Sequence, residues 1–110
     1  MKQRKLGNSG IEVSPMGLGC WAIGGPFRMF GQQDGWGQVD DAESIRAIHR
    51  AVELDVTLFD TADAYGTGHS EEILGKALRE LRKDGVIPTK GGFVYDRDLR
   101  ALRGGAYSPP

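Results

Sequence analysis

Thr57-Leu-Phe-Asp60-Thr-Ala-Asp-Ala-Tyr65-Gly-Thr-Gly-His-Ser70 is the stretch that decides how this chain is read. Val56, Thr57, Leu58 and Phe59 form a β-branched, apolar and aromatic run, the pattern of a short strand covered on both faces. Asp60 closes that strand, and Tyr65 follows in a glycine-bearing loop. In α/β folds, ligands and chemistry gather outside the C-terminal ends of parallel strands. An acid at that place, with a phenol five residues on, is a candidate proton-transfer site.

Forward of the loop the spacing predicts a helix. Ser70 is a candidate cap, and Glu71 and Glu72 suit the positive end of the helix. Ile73, Leu74, Ala77, Leu78 and Leu81 make the buried stripe, Glu72 and Lys76 an i,i+4 pair, and Gly85 the expected stop. Gly75, inside the helix, is expected to pack closely on a strand. Val86-Ile-Pro-Thr-Lys90 then reads as the next strand, which sets Lys90 at a strand end beside that of Asp60.

Backward of the stretch, Asp40-Asp-Ala-Glu43 opens another helix, with Asp40 as N-cap and Glu43 as its capping-box partner. Ala42, Ile45, Ile48, Ala51 and Val52 give its apolar face, and His49 is expected on the solvated face. Arg4–Leu6 and Ile11–Val13 flank the turn cluster Gly7-Asn-Ser-Gly10 and suggest a β-hairpin. Met16-Gly-Leu-Gly19 reads as the first central strand, followed at once by Cys20 and Trp21. Gly24 to Gln38 reads as one long aromatic-bearing loop, either folded over a ligand or packed on the surface.

Strand–helix–strand–helix–strand is the grammar of a parallel α/β sheet. The 110 residues fit one small domain, short of the about 250 that a closed (β/α)8 barrel takes. Ser108-Pro-Pro110 is a helix-start signal. Residues 1–110 are therefore expected to be the N-terminal piece of a longer fold.

The composition narrows the partners. A net charge of −1 and a pI near 6.1 provide no basic field for nucleic acid or an anionic membrane. The single cysteine, Cys20, excludes an internal disulfide framework. The basic start Met1-Lys-Gln-Arg-Lys5 lacks the apolar run of a signal peptide, and the default expectation is a soluble cytoplasmic protein. Gly17-Leu-Gly19 lacks the third glycine of a dinucleotide fingerprint, and Gly75-Lys76 is followed by Ala77 where a P-loop needs Ser or Thr. His49 and His69 have no partners at metal-ligand spacing, so no metal is assigned.

Asp60, Tyr65 and Lys90 remain. A phenol with a pKa near 10 is a poor acid at neutral pH unless its phenolate is stabilised. An ammonium about 4 Å away, at an effective dielectric near 20, offers a gross ~4 kcal/mol, an upper bound of roughly three pK units. Asp60 can hold the lysine charged and oriented. The same residues also fit an Asp–Lys ion pair bracing two strands with Tyr65 packed beside it.

Asp60-Thr-Ala-Asp-Ala-Tyr-Gly, Gly68-His-Ser-Glu-Glu-Ile-Leu-Gly-Lys-Ala-Leu78 and Thr89-Lys90 together resemble the N-terminal third of an aldo-keto reductase of the bacterial type. Arg4-Lys-Leu-Gly-Asn-Ser-Gly-Ile-Glu-Val-Ser14 and Gly17-Leu-Gly-Cys-Trp21 extend the resemblance over nearly all of residues 3–92. It implies a (β/α)8 barrel closed at its bottom by the N-terminal hairpin. It also implies NADPH-dependent reduction of a small aldehyde or ketone to an alcohol. Carried over by motif, Tyr65 would be the proton donor, Lys90 would lower its pKa, and Asp60 would anchor Lys90. Gly19, Cys20 and Trp21, with Asp60, would line the nicotinamide-ribose end of an NADP(H) site; Trp21 equally fits a core aromatic.

The family's catalytic histidine on the next strand has no counterpart in this sequence. Asp55 stands where a helix-ending glycine is usual, and Pro88 where the family has a residue with a free N–H. Two other readings of the scaffold are an inactive truncated product and a nucleotide-sensing or interaction protein.

Overall fold

Ser14 and Thr57 exchange two hydrogen bonds, Ser14 N–H to Thr57 Oγ1 at 2.8 Å and Thr57 N–H to Ser14 Oγ at 2.9 Å. This pair ties an N-terminal hairpin to the start of the central strand. In the computed structural model, which describes residues 2–105, the hairpin pairs β1 (Arg4–Lys5) with β2 (Glu12–Val13), antiparallel as expected. Next come β3 (Gly17–Gly19) and a 3₁₀ turn (Ala22–Gly24), then β4 (Phe27–Met29), β5 (Gln32–Asp34) and α1 (Asp41–Glu53). The chain continues through β6 (Leu58–Asp60), α2 (His69–Leu81), β7 (Phe93–Asp96) and β8 (Ala101–Gly105). The helix start expected at Ser108 lies outside the described residues.

β3 and β6 pair in parallel, with Gly19 opposite Asp60. Residues 86–90 run parallel on the other side of β6, bridged through Val86 and Leu58. Val86 N–H donates to Thr57 O, Phe59 N–H to Val86 O, Thr61 N–H to Pro88 O and Asp63 N–H to Lys90 O. Pro88 has no N–H to give to Phe59, so the third strand keeps its register through alternate bonds and is not a continuous ladder.

Both helices pack on this parallel layer. Cys20, Ile48, Phe59, Ile73, Leu74, Ala77 and Leu78 are buried together in the main core, each large side chain contributing about 1.5–3 kcal/mol of apolar burial. Asp40 Oδ1 accepts from Ala42 N–H at 2.9 Å and caps α1, a device worth about 1 kcal/mol. Glu43 pairs with Arg46 rather than closing a capping box. Ala42, expected on the apolar face, is exposed. His49 is partly buried rather than free on the solvated face: its Nε2 lies 3.1 Å from Ala77 O and 3.5 Å from Glu80 Oε2, joining α1 to α2.

The helix ends share one solution. Val56 N–H reaches Ala51 O and Asp55 N–H reaches Val52 O, with Asp55 at φ +67°. Lys83 N–H reaches Leu78 O and Arg82 N–H reaches Arg79 O, with Arg82 at φ +51°. Both are Schellman turns, in which a left-handed residue lets the last carbonyls be satisfied. α2 therefore stops at Arg82 rather than at Gly85. Gly85 instead lies under Phe59, where a Cβ would stand 3.0 Å from the ring. Gly75 has no close strand neighbour, since a Cβ there would meet only the tip of Arg79 at 3.8 Å. Glu72 pairs with Arg97 at 2.5 Å rather than with Lys76.

The stretch from Gly24 to Gln38 is not a single loop. β4 and β5 form a hairpin, β4 also pairs in parallel with β8, and β8 pairs antiparallel with β7, giving a four-stranded sheet in the order β5-β4-β8-β7. Phe27, Ala64 and Leu102 are buried beneath it, with Met29, Phe93 and Tyr95 against them. This second sheet stands over the C-terminal ends of the parallel strands. No helix of the described residues is long and apolar enough to cross a membrane.

Candidate active site

Three strand ends meet here. Cys20 N–H donates to Asp60 O at 2.8 Å, which levels the end of β3 with that of β6. Asp63 N–H donates to Lys90 O at 3.0 Å, and Asp63 Oδ2 accepts from Phe93 N–H at 3.3 Å, which fixes the third strand just beyond Lys90. The Lys90 ammonium donates to Asp60 Oδ1 at 2.9 Å and to Thr61 O at 2.8 Å. Its Nζ stands over the Tyr65 ring, 5.3 Å from the centroid. Asp60, Tyr65 and Lys90 therefore form one cluster, and the proline in the third strand does not displace Lys90 from it.

The hydrogen bond that Lys90 donates to Asp60 holds the Lys90 pKa above its ordinary value against the opposing effect of desolvation, and the Tyr65 phenol adds to the rise. The ammonium therefore stays charged through the neutral range. Both partners are open to water, with side chains 54% and 51% exposed, so the pair orients the ammonium more than it stabilises the fold.

Tyr65 is half-buried and is set by its backbone. Ser70 N–H donates to Tyr65 O at 3.2 Å, and the residues after Tyr65 press against the 3₁₀ turn at Gly24. Ser70, expected as a helix cap, lies inside the first turn of α2, behind Gly68. It is fully buried, its Oγ donates to Cys20 O at 2.6 Å and shares a hydrogen bond of 2.9 Å with Thr61 Oγ1. One hydroxyl thus joins the helix to the ends of both β3 and β6.

Trp21 is an exposed side chain (38%), not a core aromatic. Its ring lies 6.2 Å from Tyr65, tilted by 35°, and meets Trp36 edge-on at 5.4 Å. Gly19 is exposed, and a Cβ there would meet nothing within 4 Å. Cys20 differs from both: its side chain is in the core with no exposure, and burial, assisted by the nearby Asp60 charge, pushes its thiol up to about 11.

Trp21, Tyr65 and Lys90 face a cavity of about 300 Å³ whose other walls include Phe27, Met29, Asp34 and Phe93. Sequence reading missed these last four, because Phe27, Met29 and Asp34 fell in the stretch read as one loop and Phe93 in a segment where no element was expected. The alternation of Phe27 and Met29 about an exposed Arg28 was the available signal for a half-buried strand. Among the described residues, no group of three or more His, Cys, Asp or Glu side chains is placed to hold a metal ion.

The aldo/keto reductase family model matches residues 15–106. Among curated proteins, an aldo-keto reductase of Bacillus subtilis is 46% identical over 88 residues, 79% of this chain and 24% of the relative. The NADH-specific methylglyoxal reductase of Escherichia coli is 41% identical over 99 residues, 88% of this chain and 28% of that protein. Among solved structures, the holo form of an aldo-keto reductase from Bacillus halodurans superposes with a TM-score of 0.73 at 30% identity, covering 96% of this chain and 30% of that one. The glycerol dehydrogenase of Gluconobacter oxydans follows at 0.67 and 37%, covering 86% and 26%.

The chain thus spans about a quarter of the length of the curated relatives it matches, in their N-terminal part. Its parallel strands and two helices are part of a (β/α)8 barrel, unclosed among the described residues. With the match running from the first barrel strand through the Asp60–Tyr65–Lys90 cluster, the chain belongs to the aldo/keto reductase family.

Proposed function

We propose that residues 1–110 form the N-terminal part of a barrel domain that reduces aldehydes or ketones to alcohols with NADPH, Tyr65 being the proton donor. The observation that carries this reading is the Lys90 ammonium held between Asp60 Oδ1 at 2.9 Å and the Tyr65 ring. A structural ion pair needs no phenol beside it and no cavity in front of it; here both are present.

The site fits the nicotinamide-ribose end of a dinucleotide. Gly19 leaves open space at the end of β3, Trp21 offers an exposed indole face, and Asp60 offers a carboxylate edge. Cys20, with its thiol in the core, acts as the spacer that sets Gly19 and Trp21 on the open side. When bound, the nicotinamide supplies the hydride. Tyr65 gives its hydroxyl proton to the carbonyl oxygen as negative charge develops there, Lys90 stabilises the phenolate left behind, and Asp60 keeps the ammonium in place.

The test uses a polypeptide in which this chain is continued by the strands that complete the barrel. It is expected to oxidise NADPH in the presence of a simple aldehyde. Tyr65→Phe is expected to lower kcat by about 10²–10⁴, the usual worth of a positioned general acid, with the cofactor Kd unchanged within about twofold. Undiminished turnover in Tyr65→Phe refutes the assignment of the donor. Because the Escherichia coli relative is named as NADH-specific, the same assay with NADH tests the cofactor choice.

A further inference from the structure

We propose that Asp34 selects the substrate at this site, favouring carbonyl compounds with a hydroxyl group at the far end of an apolar body and rejecting carboxylates. The proposal rests on the reading of Tyr65 as the proton donor of this cavity and adds to it the class of substrate.

Asp34 is the last residue of β5, opposite Phe27 in the β4–β5 hairpin. It lines the cavity that Tyr65 and Lys90 share, whose other walls are apolar or aromatic apart from Lys90, and it also borders the neighbouring hollow beside Met29 and Gln33. Its place is fixed from both sides. Gly35 N–H donates to Asp34 Oδ1 at 2.7 Å, which leaves the second carboxylate oxygen for a ligand. Gly35 itself, at φ +88°, lies so close to the Gly25 carbonyl that a Cβ would stand 2.6 Å from the oxygen. The backbone after Asp34 is thus packed directly on the turn at Gly25.

The charges on the wall decide the sign. Lys90 is already matched by Asp60 at 2.9 Å, whereas Asp34 has no ion-pair partner among the described residues. The lining thus carries one ammonium, already paired, and one carboxylate that is not, so a ligand group that reaches Asp34 meets an uncompensated negative charge there. A carboxylate on that ligand is repelled by Asp34 in surroundings less polar than water. A hydroxyl group can donate to the free oxygen in a charge-assisted hydrogen bond. A cavity of about 300 Å³ that both Asp34 and Tyr65 line has room for a ring-sized apolar body.

The experiment compares para-benzenedimethanol with para-(hydroxymethyl)benzoate, alcohols of the same length that do not react when no oxidised cofactor is added. Trp21 and Trp36 are the only two tryptophans in the chain and stand beside the cavity, so their fluorescence reads binding directly. The dimethanol is expected to bind at least tenfold more tightly than the benzoate. Asp34→Asn, which keeps an oxygen for Gly35 N–H, is expected to bring the two within about twofold by strengthening the benzoate.

The completed barrel provides a second readout, in which the KM ratio of para-(hydroxymethyl)benzaldehyde to para-carboxybenzaldehyde moves in the same direction. A preference unchanged in Asp34→Asn, a tighter benzoate in the wild type, or an absence of discrimination by both readouts overturns the proposal. Retained turnover in Tyr65→Phe would remove the donor assignment alone, because the fluorescence ratio needs no turnover.

Discussion

Gly24 and Gly66 meet backbone to backbone: a Cβ on Gly66 would stand 1.9 Å from the Gly24 carbonyl oxygen, and one on Gly24 would stand 2.7 Å from the Tyr65 carbonyl carbon. The contact presses the turn after Trp21 onto the turn after Tyr65. It is what sets the phenol against the indole at 6.2 Å. Gly66 also sits at φ +62°, where a side chain is strained whatever the space. Gly66→Ala is therefore expected to destabilise the fold by about 2–4 kcal/mol, combining overpacking with left-handed strain. Urea unfolding of the two proteins measures it, and a loss below about 1 kcal/mol would show that the two turns separate freely.

The Asp60–Lys90 pair should matter more for chemistry than for stability. Both side chains are more than half exposed, so a double-mutant cycle of Asp60→Asn and Lys90→Met is expected to return a coupling of about 1 kcal/mol or less. In the completed barrel, each single change is expected to lower kcat at least tenfold. The raised Lys90 pKa fixes the sign with pH. The small stabilisation is complete below the unfolded lysine value near 10.4 and is lost as pH rises through the folded value. A coupling of several kcal/mol at pH 7 would instead make the pair a structural brace.

Cys20 gives a pH signature of the core. Its thiol is raised from 9.0 to about 11, chiefly by burial and further by Asp60. The folded state thus disfavours the thiolate, so this contribution to stability is intact below pH 9 and lost as pH climbs through 11. Stability is expected to fall over that interval more steeply in the wild type than in Cys20→Ala. At pH 8, a thiol reagent is expected to react with Cys20 only at the rate of unfolding. Rapid labelling of the folded chain would place the sulfur at the surface.

How much of this was legible follows from what each signal depends on. The parallel strands, both helices and the Asp60–Tyr65–Lys90 cluster were readable because they rest on local patterns and on a motif of adjacent residues. Ser70 was misread because a serine before a helix has the same local appearance whether it caps the helix or reaches 50 residues back to Cys20 O. Arg82 was hidden as a helix end because it holds a left-handed φ that glycine usually advertises, whereas Asp55, also left-handed, was legible only because it stands where a helix-ending glycine is usual. His49 sits among charged neighbours in sequence, and only the packing of α2 turns it inward. The β4–β5 hairpin escaped because it depends on β8, more than 70 residues away, to become part of a sheet.

Pro88 tests how firmly the third strand is held. In a parallel ladder bridged at Leu58 and Val86, residue 88 would donate to Phe59 O, the one bond that proline removes. The neighbouring bonds from Thr61 N–H to Pro88 O and from Asp63 N–H to Lys90 O are present and keep the register. Pro88→Val should therefore complete the ladder without moving Lys90. A restored hydrogen bond is worth about 0.5–1.5 kcal/mol, and the proline's restriction of the unfolded chain, worth about 0.4–1 kcal/mol, is lost at the same time. The net change in stability is expected to be below about 1 kcal/mol in either direction. Hydrogen exchange is the sharper measurement, with the new amide at position 88 expected to be as protected as that of Phe59. In the completed barrel, kcat is expected to change by less than about threefold, since Asp60 and Thr61 still hold the ammonium. Fast exchange at position 88, or a large fall in kcat, would mean that the proline actively positions Lys90 and is not merely tolerated beside it.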